Sequence, residues 1–270
     1  FELVGPEFYK KIMSASEMAP NKVVMVYCWR GGMRSNILAW LLQMAGFKVT
    51  LLKGGYKTFR HWVIDQYSQQ RNYVVLGGRT GSGKTEILHL LAQEGEQIID
   101  LEGIAHHKGS AFGALGQEPQ FLQEHFENNV SWVLSNTVSS EPIWIENESR
   151  HIGRNQIPPL LFEQIRTASK LTVNVSLETR TNRILQEYGI FDTNVLIEKT
   201  QDVSRRMGPQ HAKEAIQYLT DGDIRNWVLK MLDYYDKTYQ HPSQVILSKN
   251  CVVLRFHVVL FINIDRPVSF

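Results

Sequence analysis

The chain has 270 residues, of which 43% are hydrophobic and 21% charged, with a net charge of +2 at neutral pH. This is ordinary globular material with room for two modest domains. The charge is too small to announce a nucleic-acid partner, and two cysteines exclude a disulfide framework. The most apolar segment, 251–264, is interrupted by Arg255 and His257 and is too short for a membrane span. No basic region followed by an apolar core is visible near the start, so a reducing, cytoplasmic setting away from membranes is expected. The first residue is Phe1 rather than Met, as in a fragment.

Residues 1–68 read as a first unit. The stretch 7–18 can form a helix that stops before Pro20. The run 23–27 predicts a buried strand, 34–45 a helix closed by Gly46, and 47–52 a second strand. Between strand and helix lies Tyr27-Cys28-Trp29-Arg30-Gly31-Gly32-Met33-Arg34-Ser35. Cys28 therefore falls at a strand-to-helix turn, on the ligand side of an open α/β sheet. Gly31 and Gly32 let the loop curl so that its amides face inward as an anion nest. Arg30, Arg34 and the helix N-terminus add positive potential. Each favours thiolate over thiol, which makes Cys28 a candidate nucleophile of lowered pKa. The plain alternative is a buried structural cysteine beside a glycine turn.

This region, with the following Leu51-Leu52-Lys53-Gly54-Gly55-Tyr56, resembles the active-site loop of rhodanese domains. Those domains carry sulfur or selenium as a persulfide or perselenide. They have more strands than the two countable here, so the N-terminal half of the domain is expected to be absent. Exposed strand edges should follow.

The segment 61–71 reads as a connecting helix. Then Tyr73-Val74-Val75-Leu76 leads into Gly78-Arg79-Thr80-Gly81-Ser82-Gly83-Lys84-Thr85 and a helical pattern. This is G-x-x-x-x-G-K-[ST] in its required strand–loop–helix context. Gly78, Gly81 and Gly83 permit close backbone approach to phosphate, Lys84 neutralises charge, and Thr85 offers a hydroxyl to Mg²⁺ if a metal accompanies the ligand. The motif does not say which phosphate compound binds.

Alternating strands and helices continue. The segment 97–101 predicts a strand ending beside Asp100 and Glu102, and 118–138 a long helix. The segment 142–146 predicts a strand with Glu146 at its end and Glu148 just beyond. These two carboxylates read equally as an acid–base or Mg²⁺-holding pair and as ion-pair partners of Arg150 and Arg154. Another strand is expected at 171–177. His106 and His107 are adjacent and cannot both face one metal from a regular strand, which argues against zinc. Arg180 and Arg183 lie three apart on one helical face, placed either to close over phosphates or to meet solvent. Helices are expected at 191–207, 210–219 and 224–235. Their interleaved basic and aromatic residues could grip RNA, although such aromatics more often pack a core. The tail from 240 is β-prone at 251–262 and, exposed, an aggregation hazard.

The whole series resembles tRNA 2-selenouridine synthases. It comprises the Cys28 loop, Lys53-Gly54-Gly55-Tyr56-Lys57, the P-loop, Asp100-Leu101-Glu102-Gly103 with 106–113, and Trp144-Ile145-Glu146-Asn147-Glu148-Ser149-Arg150. The resemblance implies replacement of sulfur by selenium in 2-thiouridine at the wobble position of a tRNA anticodon loop. Selenium would come from selenophosphate, supplied by a partner enzyme, and the route would pass through an S-geranylated intermediate made from geranyl diphosphate. No tightly bound cofactor is implied, Mg²⁺ being optional, and Cys28 matches the selenium-bearing residue. Two other readings stand beside it. One is an ATP-dependent sulfurtransferase or kinase using 78–85 for a nucleotide. The other is a non-catalytic module binding anions or RNA.

The expected fold is α/β throughout. A partial rhodanese-like parallel α/β domain (1–68) precedes a P-loop NTPase-like α/β core (69–175), its helical continuation (176–239) and a divergent tail (240–270).

Overall fold

The computed structural model describes residues 5–239 and the backbone of 251–255. The rest of the tail set apart at 240–270 lies outside the described residues. The chain divides into two compact units, Phe1–Tyr67 and Ser68–Phe270.

The first unit begins with α1 (Gly5–Met18), β1 (Val23–Val26), α2 (Met33–Met44), β2 (Lys48–Leu51) and α3 (Gly55–Ser68). β1 and β2 pair in parallel, from Val23 opposite Lys48 to Val26 opposite Leu51. Parallel neighbours need a crossover, and α2 supplies it. Ala15, Val26, Leu42 and Phe47 form the small core, with Ile12 and Leu38 packed on it. Two strands cannot be covered on both faces, so Val23 and Met25 remain 53% and 62% exposed. α3 starts at Gly55, well before the helix read at 61–71. Gly54 and Gly55 hold φ of +74° and +67°. That left-handed pair turns the chain directly into the helix, so Tyr56 and Lys57 lie in its first turn rather than in a loop.

The second unit is a parallel sheet in the order β4-β5-β3-β8-β9. It runs through β3 (Tyr73–Gly78), α4 (Lys84–Gln93), β4 (Gln97–Ile99), α5 (Leu101–Ala105), α6 (Gln123–Ser135) and β5 (Ile143–Glu146). A hairpin of β6 (His151–Ile152) and β7 (Asn155–Gln156) follows, then α7 (Pro159–Thr167) and β8 (Ser169–Asn174). The helical part comprises α8 (Leu177–Tyr188), α9 (Thr193–Asp202), α10 (Ser204–Met207), α11 (Pro209–Thr220) and α12 (Ile224–Tyr239). The backbone of Cys251–Arg255 adds β9 beside β8. β3 is central, paired to β5 and β8, and delivers the P-loop at its C-terminal end. That edge is where open α/β sheets bind ligands.

In the second unit the strand read at 171–177 lies at Ser169–Asn174, because Ser176 already caps α8 by accepting from Thr179 N–H, and three further elements differ from the sequence reading. The helix read at 118–138 shortens to Gln123–Ser135 because Gln120 is committed elsewhere. Its amide donates to the carbonyls of Ala105 and Ile152 and to Asn155 Oδ1, and its Oε1 accepts from Arg154 N–H. The strand read to residue 101 stops at Ile99, because Asp100 turns to cap α5 by accepting from Gly103 N–H at 2.7 Å. The helix read at 191–207 divides into α9 and α10, with Val203 between them.

Candidate functional site

In the first unit the Cys28 loop is shaped by the turn that follows β2. Tyr56 N–H donates to the Cys28 carbonyl and Lys57 N–H to the Trp29 carbonyl, both at 2.9 Å. This clamps the start of α3 onto the loop. The approach is possible only without side chains: a Cβ on Gly55 would lie 2.2 Å from the Cys28 carbonyl oxygen and 2.3 Å from Gly31 N. The Lys53-Gly54-Gly55-Tyr56-Lys57 run is thus the mould of the cysteine loop.

The thiol sits at the start of α2. Gly32 N–H donates to Cys28 Sγ at 3.3 Å, and the Ser35 hydroxyl lies 3.3 Å from it. Cys28 is lowered from the ordinary thiol value to about 6. The Ser35 side chain contributes most, then Gly32 N–H, opposed by partial burial, with smaller help from the amides of Arg30 and Ser35. Hydrogen bonds, not guanidinium charge, therefore do this work, while Arg30 and Arg34 stand exposed beside the loop. Ser35 carried no role in the sequence reading. Its signal was its place ending the cysteine motif, in the first turn of α2.

A pH test follows. A thiol lowered to about 6 is mostly thiolate above that pH and loses reactivity as pH falls through it. Alkylation of Cys28 by iodoacetamide should show its midpoint near there, and Ser35→Ala should move the midpoint upward. A midpoint at the free-thiol value in the unmodified protein would contradict the geometry.

In the second unit the P-loop surrounds a cleft of about 1730 Å³. Gly81 and Gly83 hold φ of +77° and +81°, which opens the loop amides towards it. Lys84 Nζ donates to the Gly78 carbonyl at 3.4 Å, and Thr85 Oγ1 donates to Glu102 Oε2 at 3.3 Å. Glu102 and Glu148 converge over Gly109. A Cβ there would lie 3.1 Å from Glu102 Oε1 and 2.5 Å from Glu148 Oε2. Burial, then Glu148, pushes Glu102 up to about 7 against the pull of Lys84 and Thr85. Burial also raises Glu148, with Lys84 opposing. Glu146 is fully buried and pushed up to about 9 by burial and by Asp100, Glu102 and Glu148. Its Oε2 accepts from Leu101 N–H at 3.0 Å, and its Oε1 has no partner. Among the described residues neither Glu146 nor Glu148 pairs with Arg150 or Arg154, and no group of three or more Asp, Glu, His or Cys side chains is set to hold a metal ion. Glu102 is the residue that sequence reasoning noted without giving it a role; it enters through the fold of α5.

Arg180 and Arg183 part company. Arg180 is 3% exposed; Nε donates to the Thr80 carbonyl at 2.8 Å, and the two Nη atoms take Asp236 of α12 bidentately at 2.9 and 2.7 Å. It ties the P-loop to the C-terminal helix. Arg183 lies on the loop itself: a Cβ on Gly83 would sit 1.7 Å from its Nη1, which makes a charge contact of 2.5 Å with Glu86.

The helical part is largely internal in its commitments. Trp227 is buried and donates to Thr200 Oγ1 at 3.1 Å. Lys199 pairs with Asp202, Arg225 with Glu178 and Lys230 with Glu214. Among the described residues no helix is long and apolar enough to cross a membrane.

The family model of the tRNA 2-selenouridine synthase AAA domain matches residues 71–222, more than half of the chain. The chain belongs to the tRNA 2-selenouridine synthase family. The rhodanese-like domain model matches residues 4–61, the unit that carries Cys28. Curated members of the family align across both units. The tRNA 2-selenouridine synthase of Shewanella pealeana is 31% identical over 250 residues, 80% of this chain and 67% of that protein. That of Proteus mirabilis is 34% identical over 248 residues, again 80% and 67%. That of Nitrosomonas europaea is 37% identical over 170 residues, 61% of this chain and 44% of that protein. The chain thus spans between about half and two-thirds of the length of these relatives. The mixed α/β fold with parallel sheets is that of a rhodanese-like domain followed by an AAA-type P-loop domain.

Proposed function

We propose that this chain acts in tRNA modification, exchanging the sulfur of a wobble 2-thiouridine for selenium. The observation that carries the reading is the Cys28 thiol, poised between Gly32 N–H and Ser35 in a chain that also holds a phosphate loop. Cys28 carries selenium, supplied as selenophosphate by a partner enzyme. Starting from a mixed disulfide of Cys28 with an external thiol, the selenium attacks Cys28 sulfur, the external thiol leaves with the electron pair of the broken disulfide, and water takes the phosphoryl group as phosphate. The P-loop holds the diphosphate of geranyl diphosphate through the amides of Gly81 and Gly83 and the Lys84 ammonium. The thiouridine sulfur attacks the geranyl carbon, the carbon–oxygen bond breaks, and its electron pair leaves on diphosphate, where the P-loop stabilises it. Alkylated sulfur is a better leaving group than bare sulfur: the Cys28-borne selenium attacks C2, and geranyl thiolate leaves with the carbon–sulfur electron pair. An external thiol then cleaves the selenium–sulfur bond, leaving selenium on C2 and restoring the mixed disulfide at Cys28.

The donor set suits Mg²⁺ of the kind held mainly by phosphate oxygens. The Thr85 hydroxyl already meets Glu102, and Glu146 carries an unused buried oxygen behind them. Thr85 and Glu102 would hold the ion and Lys84 would share the charge of the diphosphate. Bound there, Mg²⁺ would supply charge neutralisation to the leaving group.

The test is mass analysis of anticodon nucleosides from cells with and without this protein. The reading expects 2-selenouridine to depend on it; equal amounts in both would contradict it.

A further inference from the structure

The search for a nucleic-acid surface ends in the first unit, not among the C-terminal helices. Beside Cys28 runs a continuous file of aromatic rings. Tyr27 stacks on Tyr56 with ring centroids 6.0 Å apart and planes at 26°. Trp29 tilts against the same Tyr56 ring at 5.7 Å. Tyr56 continues to Phe59 at 5.7 Å, and Phe59 stacks on Trp62 at 5.5 Å and 27°. None of these rings belongs to the cluster of Ala15, Val26, Leu42 and Phe47; Tyr56, Phe59 and Trp62 are half-buried along α3. Trp29 and Tyr27 are 51% and 55% exposed. The two residues flanking the thiol thus hold large aromatic faces in water.

The charge around the file is one-sided. Between Glu17 and Asp65 the sequence has no acidic residue, while lysines and arginines recur from Lys22 to Arg60. The net charge of +2 hides this concentration. Arg30 and Arg34 rise from the cysteine loop, and Lys53 and Lys57 from the turn clamped against it; all four are exposed, and none is in an ion pair among the described residues. On the C-terminal helices Lys199, Arg225 and Lys230 are held by carboxylates, while Arg205, Arg206 and Lys213 are exposed but have no comparable file of stacked rings beside a thiol.

Stacked aromatic faces with free cations alongside are what unpaired nucleotides require: bases stack, and phosphates are neutralised. A duplex presents no open base faces, and an acidic protein would use the cations but not the rings. We infer that the aromatic file of Tyr27, Trp29, Tyr56, Phe59 and Trp62, with Lys53 and Lys57 beside it, is the platform on which a single-stranded RNA loop lays its bases next to Cys28. The inference rests on the proposed function and deepens it by placing the RNA on the selenium-bearing unit. Trp29 adjoins Cys28 in the chain, and the backbone bonds from Tyr56 N–H to the Cys28 carbonyl and from Lys57 N–H to the Trp29 carbonyl tie the file to the cysteine loop.

The experiment is titration of the whole chain with a synthetic stem-loop RNA whose loop carries 2-thiouridine, beside a fully paired RNA of equal length. The stem-loop should bind more tightly than the duplex. Trp29→Ala should weaken stem-loop binding roughly tenfold, as loss of one base stack does, and Trp29→Phe, which keeps a ring, should restore most of it. Lys57→Gln should instead lower the salt dependence, reducing the slope of log K against log salt by about 0.7. The ring and charge variants thus report different quantities, and rescue by Phe separates stacking from misfolding. Equal binding of loop and duplex, or stem-loop binding untouched by Trp29→Ala, would overturn the platform and mark this face for a protein; selenium loading of Cys28, measured separately, would leave the functional reading standing. No RNA binding by the unmodified chain would overturn both.

Discussion

Cys28→Ala is expected to abolish formation of 2-selenouridine while geranylation of 2-thiouridine continues. The thiol is the nucleophilic atom of its loop, and Gly32 N–H, the Ser35 hydroxyl and the amide of Arg30 favour its anion, the hydroxyl being shared with the Gly32 carbonyl 2.9 Å away. The change removes one sulfur from a half-buried position, so the fold should survive it. The effect belongs to chemistry, not stability, and a melting curve beside the nucleoside assay checks this. Serine in place of Cys28 should fail equally, since a hydroxyl is neither acidic nor nucleophilic enough to take the role. Full selenation by Cys28→Ala would show that selenium travels by another atom.

Lys84→Ala is expected to strike the other half of the cycle. Lys84 lies between the Gly78 carbonyl and the paired carboxylates Glu102 and Glu148. Its removal takes a cation from a developing diphosphate and leaves two half-buried carboxyl groups without their counter-charge. Loss of one such electrostatic contact in a closed site costs on the order of 10²–10³ in rate. Geranylation of a thiolated stem-loop should therefore collapse by about that factor. Selenation of a stem-loop that is already geranylated should be much less affected. If turnover instead consumed ATP stoichiometrically and Lys84→Ala abolished that consumption, the P-loop would be a nucleotide site and the prenyl reading would fall.

Much of this was legible in the sequence because both loops are local. Cys28 to Ser35 and Gly78 to Thr85 each lie between one strand and one helix, so spacing alone places them. The parallel α/β class followed from the same alternation. What was hidden depends on distant partners. Arg180 looked like a neighbour of Arg183 on one face, but Asp236, on the last described helix, takes it out of the cleft. Glu102 was read at the end of a strand; Asp100 caps a short helix there and brings Glu102 to Thr85. The β6–β7 hairpin is too short for any periodicity to register and is held from outside by Gln120 and Gln123. The early start of α3 turns on two left-handed glycines whose purpose, to let the backbone reach Cys28, appears only in three dimensions.

The central claim is that Cys28 carries selenium during turnover. It is tested most directly by peptide mass mapping of the protein after supply of selenophosphate, before and after addition of geranylated stem-loop RNA. The account predicts one selenium atom on the peptide containing Cys28, discharged as 2-selenouridine appears. Formation of 2-selenouridine with no selenium ever found on Cys28 would contradict it.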